Sequence, residues 1–180
     1  MATSTCPRIY VASLSDYNAG VLHGVWINLD GIDAEEVQEI VNKMLAESPT
    51  AKREGTPAEE WAIHDDEGFY DIEISEDATF EEVCEHAEMI EGNGLPWSAY
   101  VNNVGRKYAN VEDFEESYQG HYDSVEAYAE QLLEDCGMMG GLPEWARPYF
   151  DMEQYAKDLE LNGDIWTHED CEGVHVFRNL

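Results

Sequence analysis

From Glu54 to Gly105 the chain carries fifteen carboxylates and no lysine or arginine. A segment of that composition must keep its charged side chains in water and fold on whatever apolar positions remain between them. The chain as a whole has 180 residues, with 40 Asp plus Glu against 9 Lys plus Arg and a formal net charge of −31 at pH 7. Yet 43% of it is hydrophobic, with five Trp, ten Tyr and five Phe. A disordered acidic tail lacks such apolar and aromatic surface, so this chain is expected to fold, at this length as one domain or as two or three small ones.

The charge excludes several functions. Binding to phosphates requires clustered Lys or Arg, and nine scattered basic residues cannot supply a nucleic-acid surface or a dock for an anionic membrane. No run approaches the roughly 18 apolar residues that cross a bilayer, and the opening MATSTCPRIYVASLS has neither a basic region nor a continuous apolar one, so a cytoplasmic location is expected. Cys6, Cys84, Cys136 and Cys171 form no CxxC pair and are read as reduced thiols, not as a disulfide framework or a standard zinc site.

The acids are unevenly distributed. Residues 1–53 hold seven acids and four bases, 106–146 hold ten and two, and 147–180 hold eight and three. The acid-rich segments also show regular apolar spacing, so the charge decorates folded elements. Residues 7–14 and 21–29 read as a hairpin across the turn-prone SDYNAG. Asp33 is positioned to cap a helix over 34–47, which Pro49 ends. A loop is expected over 50–59, a strand over 60–64 and another over 69–74. TFEE at 79–82 is a capping-box signature for a helix to about Ile90, with Val83, Ala87 and Ile90 inward and Glu81, Glu85 and Glu88 on another stripe. Helices are expected over 97–104, 111–118 (capped by Asn110), 125–135 (capped by Ser124 or Asp123) and 151–159. A hairpin over 164–167 and 174–178 closes the chain. Glu126, Glu130 and Glu134 face outward from the 125–135 helix.

Like charges at i, i+4 destabilise a helix by about 0.2–0.5 kcal/mol per pair, and the arrangement recurs here without basic partners. Ordinary surfaces intersperse both signs and carry net charges of about 2–8 in magnitude. A duplex carries one phosphate charge per about 1.7 Å of axis, a density that acidic helices set side by side on an elongated molecule can approach. Such a surface would enter a basic DNA groove and displace DNA.

Four segments, PRIYVASLSDYNAGVLHGVWI at 7–27, EEWAIHDDEGF at 59–69, YQGHYDSVEAYAEQLLED at 118–135 and LPEWARPYFDMEQYAKDLELNGDIW at 142–166, resemble the ArdA antirestriction proteins of mobile elements, in the same order over nearly the whole chain. The resemblance implies an α+β fold drawn out as an elongated chain of three small domains, 1–78 (α+β), 79–117 (helical) and 118–180 (sheet with helices). It implies a homodimer that mimics B-DNA in the DNA-binding groove of type I restriction-modification enzymes. The family's antirestriction motif, near the subunit interface, falls on 139–152. Leu142, Pro143, Tyr149, Phe150 and Asp151 keep its pattern, while Trp145, Arg147 and Pro148 are read as departures. Leu142, Pro143, Trp145, Tyr149, Phe150 and Asp151 are therefore the expected dimer contacts, and the insert around 48–58 is expected to be a loop without a required role. The expected partner-facing acids are Asp65, Asp66, Glu67, Glu81, Glu85, Glu88, Glu115, Glu116, Asp123, Glu126, Glu130 and Glu134.

Two other functions compete with this one. A metal-dependent enzyme would use His64, Asp65, Asp66 and Glu67, but any two of forty carboxylates can be paired on paper, and a solvated loop is the simpler account of 64–67. His168, Cys171 and His175 have loose metal-like spacing without a fourth ligand, and no EF-hand, nucleophile elbow or P-loop is present, so no metal, cofactor or catalytic residue is expected. A high-salt cytoplasm would also select acidic, lysine-poor proteins, but it should coat every segment, and the first 53 residues are nearly balanced.

Overall fold

Alternating apolar residues in the first thirty positions form the expected hairpin. Strands β1 (Arg8–Ser13) and β2 (Gly24–Asn28) run antiparallel, with Ile9 opposite Ile27 and Val11 opposite Val25. Strand β3 (Trp61–Glu67) pairs with the other edge of β1, giving the order β2-β1-β3. The computed structural model describes residues 6–180. They form two compact units, one ending at Arg106 and the other spanning Lys107–Leu180, both mixed α+β. Among the described residues no helix is long and apolar enough to cross a membrane.

In the first unit, helix α2 follows β2 and starts where the sequence says it should. Asp33 accepts from Glu36 N–H at 2.9 Å while the Glu36 side chain accepts from Asp33 N–H at 3.2 Å, a complete capping box. The helix, Ala34–Ala46, buries Val37, Val41, Met44 and Leu45. Val37 and Val41 are wholly buried, and each contributes about 1.5–3 kcal/mol by leaving water.

Three expectations fail here. The turn-prone SDYNAG contains a short helix, α1 (Leu14–Asn18), because Ser13 caps it through Asp16 N–H. Residues 50–59 do not begin as a loop. Ser48 caps and Pro49 opens helix α3 (Pro49–Glu54), which Gly55 ends at φ 74°. Proline at the first helical position starts a helix as readily as it stops the previous one. This segment also has a structural role: Thr50 N–H donates at 2.8 Å to the carboxylate of Asp16, which is wholly buried with Ser13 and Ser48. Burial raises the Asp16 pKa, but hydrogen bonds from Ser48, Thr50 and Ser13 outweigh that and hold it well below the usual carboxylate range.

The third failure is the strand over 69–74, which is a loop of turns pinned by buried Phe69 and Ile72. Its backbone is satisfied by side chains of helix α5 (Leu95–Val104) and the residue after its cap. Ser98 Oγ accepts from Asp71 N–H, Asn102 donates to Asp71 O, and Arg106 donates to Glu73 O. A hydrophobic alternation specifies which side chains are buried, not whether another strand edge is available. Helix α4 (Phe80–Asn93) forms as expected, capped by Thr79 and ended by Gly94, with Val83, Ala87 and Ile90 buried.

The second unit begins with α6 (Val111–Ser117), capped by Asn110. It continues through β4 (Tyr118–Tyr122), α7 (Val125–Asp135), α8 (Met138–Gly141), a 3-10 turn at Arg147–Tyr149, α9 (Met152–Leu161), β5 (Ile165–Glu169) and β6 (Val174–Arg178). The closing hairpin β5–β6 is present, and β4, not foreseen, adds to it in the order β4-β6-β5. Val174 and Val176 of β6 pack under α7 and α9 with Tyr128, Ala129, Ala156 and Leu159. By strand alternation His175 and Phe177 face the other way. There Phe177 stacks on Trp166 at 3.9 Å between ring centroids and contacts Tyr118 at 5.1 Å.

Candidate functional site

The carboxylates of α4 are the best-defined part of the expected partner surface. Glu81, Glu85 and Glu88 are all exposed, opposite the buried face of Val83, Ala87 and Ile90. They line an open groove of about 600 Å³ together with Asp33 and Glu36 at the start of α2 and with Glu91. The remaining liners are Leu29, Gly31, Ile32, Ala34 and Cys84, so among the described residues no lysine or arginine lines the groove. Burial raises the pKa of the Cys84 thiol, and the nearby charges of Asp33 and Glu81 raise it further. At about 1.5 Å rise per residue, the four α4 acids come once per about 5 Å of axis. Phosphates come once per about 3.4 Å along one DNA strand. The helix alone is sparser than that, and Asp33 and Glu36 add two further carboxylates to the groove lining.

Asp65, Asp66 and Glu67 are not in a loop. They form the end of β3, paired with Tyr10, Ile9 and Arg8. His64 is the extra residue of a β-bulge, where the pairing shifts between Tyr10 and Val11, and its ring meets Tyr17 edge-on at 4.6 Å. The strand extends past the expected boundary at His64 because the bulge lets pairing resume with the charged residues outside the core. Arg8 Nε and Nη2 both reach one oxygen of Glu67, which offsets that charge. Partial burial, and secondarily the charge of Asp65, raises the Asp66 pKa.

In the second unit Glu115, Glu116, Asp123, Glu130 and Glu134 are exposed and Glu126 is half-buried. Glu126 sits in the first turn of α7, where its own N–H, and then Ser124, lower its pKa. The i, i+4, i+8 row of α7 is thus present as the spacing predicts, on the face opposite Tyr128, Ala129 and Leu133.

The segment expected at a dimer seam is held loosely by its own unit. Helix α8 and the 3-10 turn contain no buried residue, and Trp145 and Tyr149 are 75% and 84% exposed. Pro143 is exposed, and Leu142 and Phe150 are half-buried, Phe150 meeting Tyr155 edge-on. Asp151 has a task within the chain: it caps α9 by accepting from Gln154 N–H at 3.0 Å.

Sequence reasoning missed two groupings. One is Asp33 and Glu36 facing the α4 acids, since the capping box was legible but the packing of α2 against α4 is not a local property. The other concerns the loose His168–Cys171–His175 spacing. Cys171 is exposed, and among the described residues the ligand-bearing atoms that converge are those of His121, Asp170 and His175. Their only sequence signal would have been the strand register that places His121 opposite His175.

The acid rows, the sheet order and the uncovered aromatic segment set the context for the comparison with known proteins. Among curated proteins no relative matches the chain. The family model described as antirestriction protein (ArdA) matches residues 9–172 of the 180. The chain therefore belongs to the ArdA family of antirestriction proteins.

Proposed function

We propose that this protein acts as a counterfeit of B-DNA: it occupies the DNA-binding groove of a type I restriction-modification enzyme in the cytoplasm and so protects incoming mobile DNA. The observation that carries the reading is the groove between α2 and α4, where six carboxylates, Asp33, Glu36, Glu81, Glu85, Glu88 and Glu91, converge with no Lys or Arg among the lining residues. Convergent like charges weaken a fold, by about 0.2–0.5 kcal/mol per adjacent pair on a helix, and are retained where a cationic partner gains from them. The exposed acids of α6 and the row on α7, in the second unit, carry the same sign, and no residue is given a catalytic role.

The dimer belongs to the same reading. Two chains of charge −31 repel each other, so a self-contact is favoured where the surface is apolar and neutral. Between Gly137 and Phe150 the only charged residues are Glu144 and Arg147, and Met138, Trp145 and Tyr149 are exposed. Exposed Trp and Tyr are the side chains most enriched at interface centres.

The decisive experiment titrates the purified protein against a type I enzyme bound to labelled DNA at low ionic strength. The labelled DNA is expected to leave at stoichiometric ratios, with the effect weakening as salt rises. DNA that remains bound at excess protein, across several type I families, overturns the reading. Neutralising Glu81, Glu85 and Glu88 one at a time should weaken competition less than about threefold each. Neutralising all three together should weaken it by about tenfold or more, since each exposed charge contributes well under 1.4 kcal/mol.

A further inference from the structure

Three side chains that are distant in sequence meet at one end of the second sheet. Strand pairing sets His121 of β4 opposite His175 of β6, and the turn between β5 and β6 brings Asp170 beside them. His121 Nε2 lies 3.3 Å from Asp170 Oδ1, His175 Nε2 lies 3.1 Å from Asp170 Oδ2, and the two imidazoles are 4.6 Å apart between centroids. One donor atom from each residue falls within 4.8 Å of the others. A tetrahedral zinc ion with ligands at about 2.0–2.1 Å separates neighbouring donor atoms by about 3.3 Å. The imidazole–carboxylate spacings already approach that value.

The surroundings organise these donors. Asp170 Oδ1 accepts the backbone N–H groups of Glu172 and Gly173 at 2.7 and 2.8 Å, which orients the carboxylate and aims Oδ2 at His175. Tyr118 Oη lies 3.0 Å from His175 Nδ1. A hydroxyl can donate or accept, so it can serve the ring with the proton on Nε2 and equally the ring with Nε2 given to a metal and Nδ1–H donated to the tyrosine. Gly173 completes the frame: a Cβ there would meet the carbonyl of Tyr122 and stand 3.1 Å from the His121 ring.

We propose that His121, Asp170 and His175 form a three-ligand site for a transition-metal dication, with Zn²⁺ the best match and the fourth position open to solvent, and with Tyr118 as the positioning residue of His175. Two imidazoles and one carboxylate with an open position suit zinc, and favour it over the all-oxygen coordination that Mg²⁺ and Ca²⁺ prefer. The site ties edge strand β4 to central strand β6 and to the β5–β6 turn. It does not depend on the antirestriction reading, because all of its residues lie within one unit and none belongs to the expected acid surface.

The test uses the untagged full chain at pH 7.5 with millimolar Mg²⁺ present, so that exposed carboxylates are already occupied. Co²⁺ and Zn²⁺ are added, with a chromophoric chelator as competitor. The expected result is one equivalent of Co²⁺ with the intense visible absorption of a tetrahedral site, displaced by Zn²⁺. His121→Ala, at an exposed position that does not hold the core, should cut affinity about 100-fold or more. Tyr118→Phe should cut it by about tenfold, within the range for loss of an outer-shell partner. His168→Ala, on the neighbouring strand, should leave affinity within about threefold. The absence of a saturable equivalent above the Mg²⁺ background overturns the site, as does undiminished binding by His121→Ala. Unchanged affinity in Tyr118→Phe overturns the positioning role.

Discussion

His86 in the first unit and His175 in the second are 4% and 7% exposed, and burial lowers the pKa of both. Trp97 Nε1–H donates to His86 Nδ1 at 3.3 Å, and among the described residues the far nitrogen of that ring meets no hydrogen-bond partner. His175 instead spans Tyr118 and Asp170, and through Asp170 it connects to His121, an exposed side chain. The same contrast holds for the carboxylates. Asp16 is wholly enclosed among Ser13, Ser48 and Thr50, whereas Asp170 keeps 21% of its side chain exposed. Burial and protonation state are therefore poor guides to function. What separates the two pairs is that His175 and Asp170 belong to a network reaching the exposed His121, whereas His86 and Asp16 are enclosed.

The largest effect that would break this contrast comes from the two carboxylates. Asp16→Ala leaves the buried N–H of Thr50 without its acceptor and is expected to destabilise the first unit by about 2–4 kcal/mol in urea unfolding. Asp170→Ala exposes its backbone partners to water and should cost measurably less. Equal losses would show that the enclosed and the open network are energetically alike.

A smaller effect sharpens the histidine comparison. Because burial lowers the folded-state pKa of His86, the unfolded chain takes up its proton first as the pH drops. The stability due to neutral His86 is then present above about pH 6.5 and lost below it, at up to about 1.4 kcal/mol per pH unit. His86→Phe should flatten the slope of unfolding free energy between pH 6.5 and 5.5 relative to the parent chain. An unchanged slope would mean that His86 gains a proton in the folded state as easily as in the unfolded one.

The smallest expected effect carries the opposite sign. Gln in place of Glu81, Glu85 and Glu88 together removes the repulsions along α4 and should stabilise the first unit by a few tenths of a kcal/mol up to about 1 kcal/mol. The same triple change is expected to weaken competition with DNA. A variant that loses stability instead would show that these acids make favourable contacts within the fold.

Much of the fold was legible because it is local. The capping residues Asp33, Thr79, Asn110 and Ser124 lie at the starts of the helices they predict, and Val83, Ala87 and Ile90 bury the face that their spacing defines. The misreadings share a cause. Pro49, the alternation at 69–74 and the short YQGHY strand each admit two local conformations, and a distant partner selects between them. Asp16 made helix α3 part of the core, α5 took the backbone bonds of the 69–74 loop, and β6 gave β4 an edge to join.

The candidate surfaces divide along the same line. The sequence by itself determined the sign and density of the charge, the outward stripes of α4 and α7, and the family, since these depend on residue identity and on spacing within single elements. Only the tertiary structure decided that Asp33 and Glu36 face the α4 acids, that Arg8 offsets Glu67, and that His121, Asp170 and His175 meet. Each of those is a pairing between elements, set by strand register and helix packing. A carboxylate or an imidazole acquires its role from the neighbours that the folded chain brings within about 4 Å, and linear spacing does not encode them.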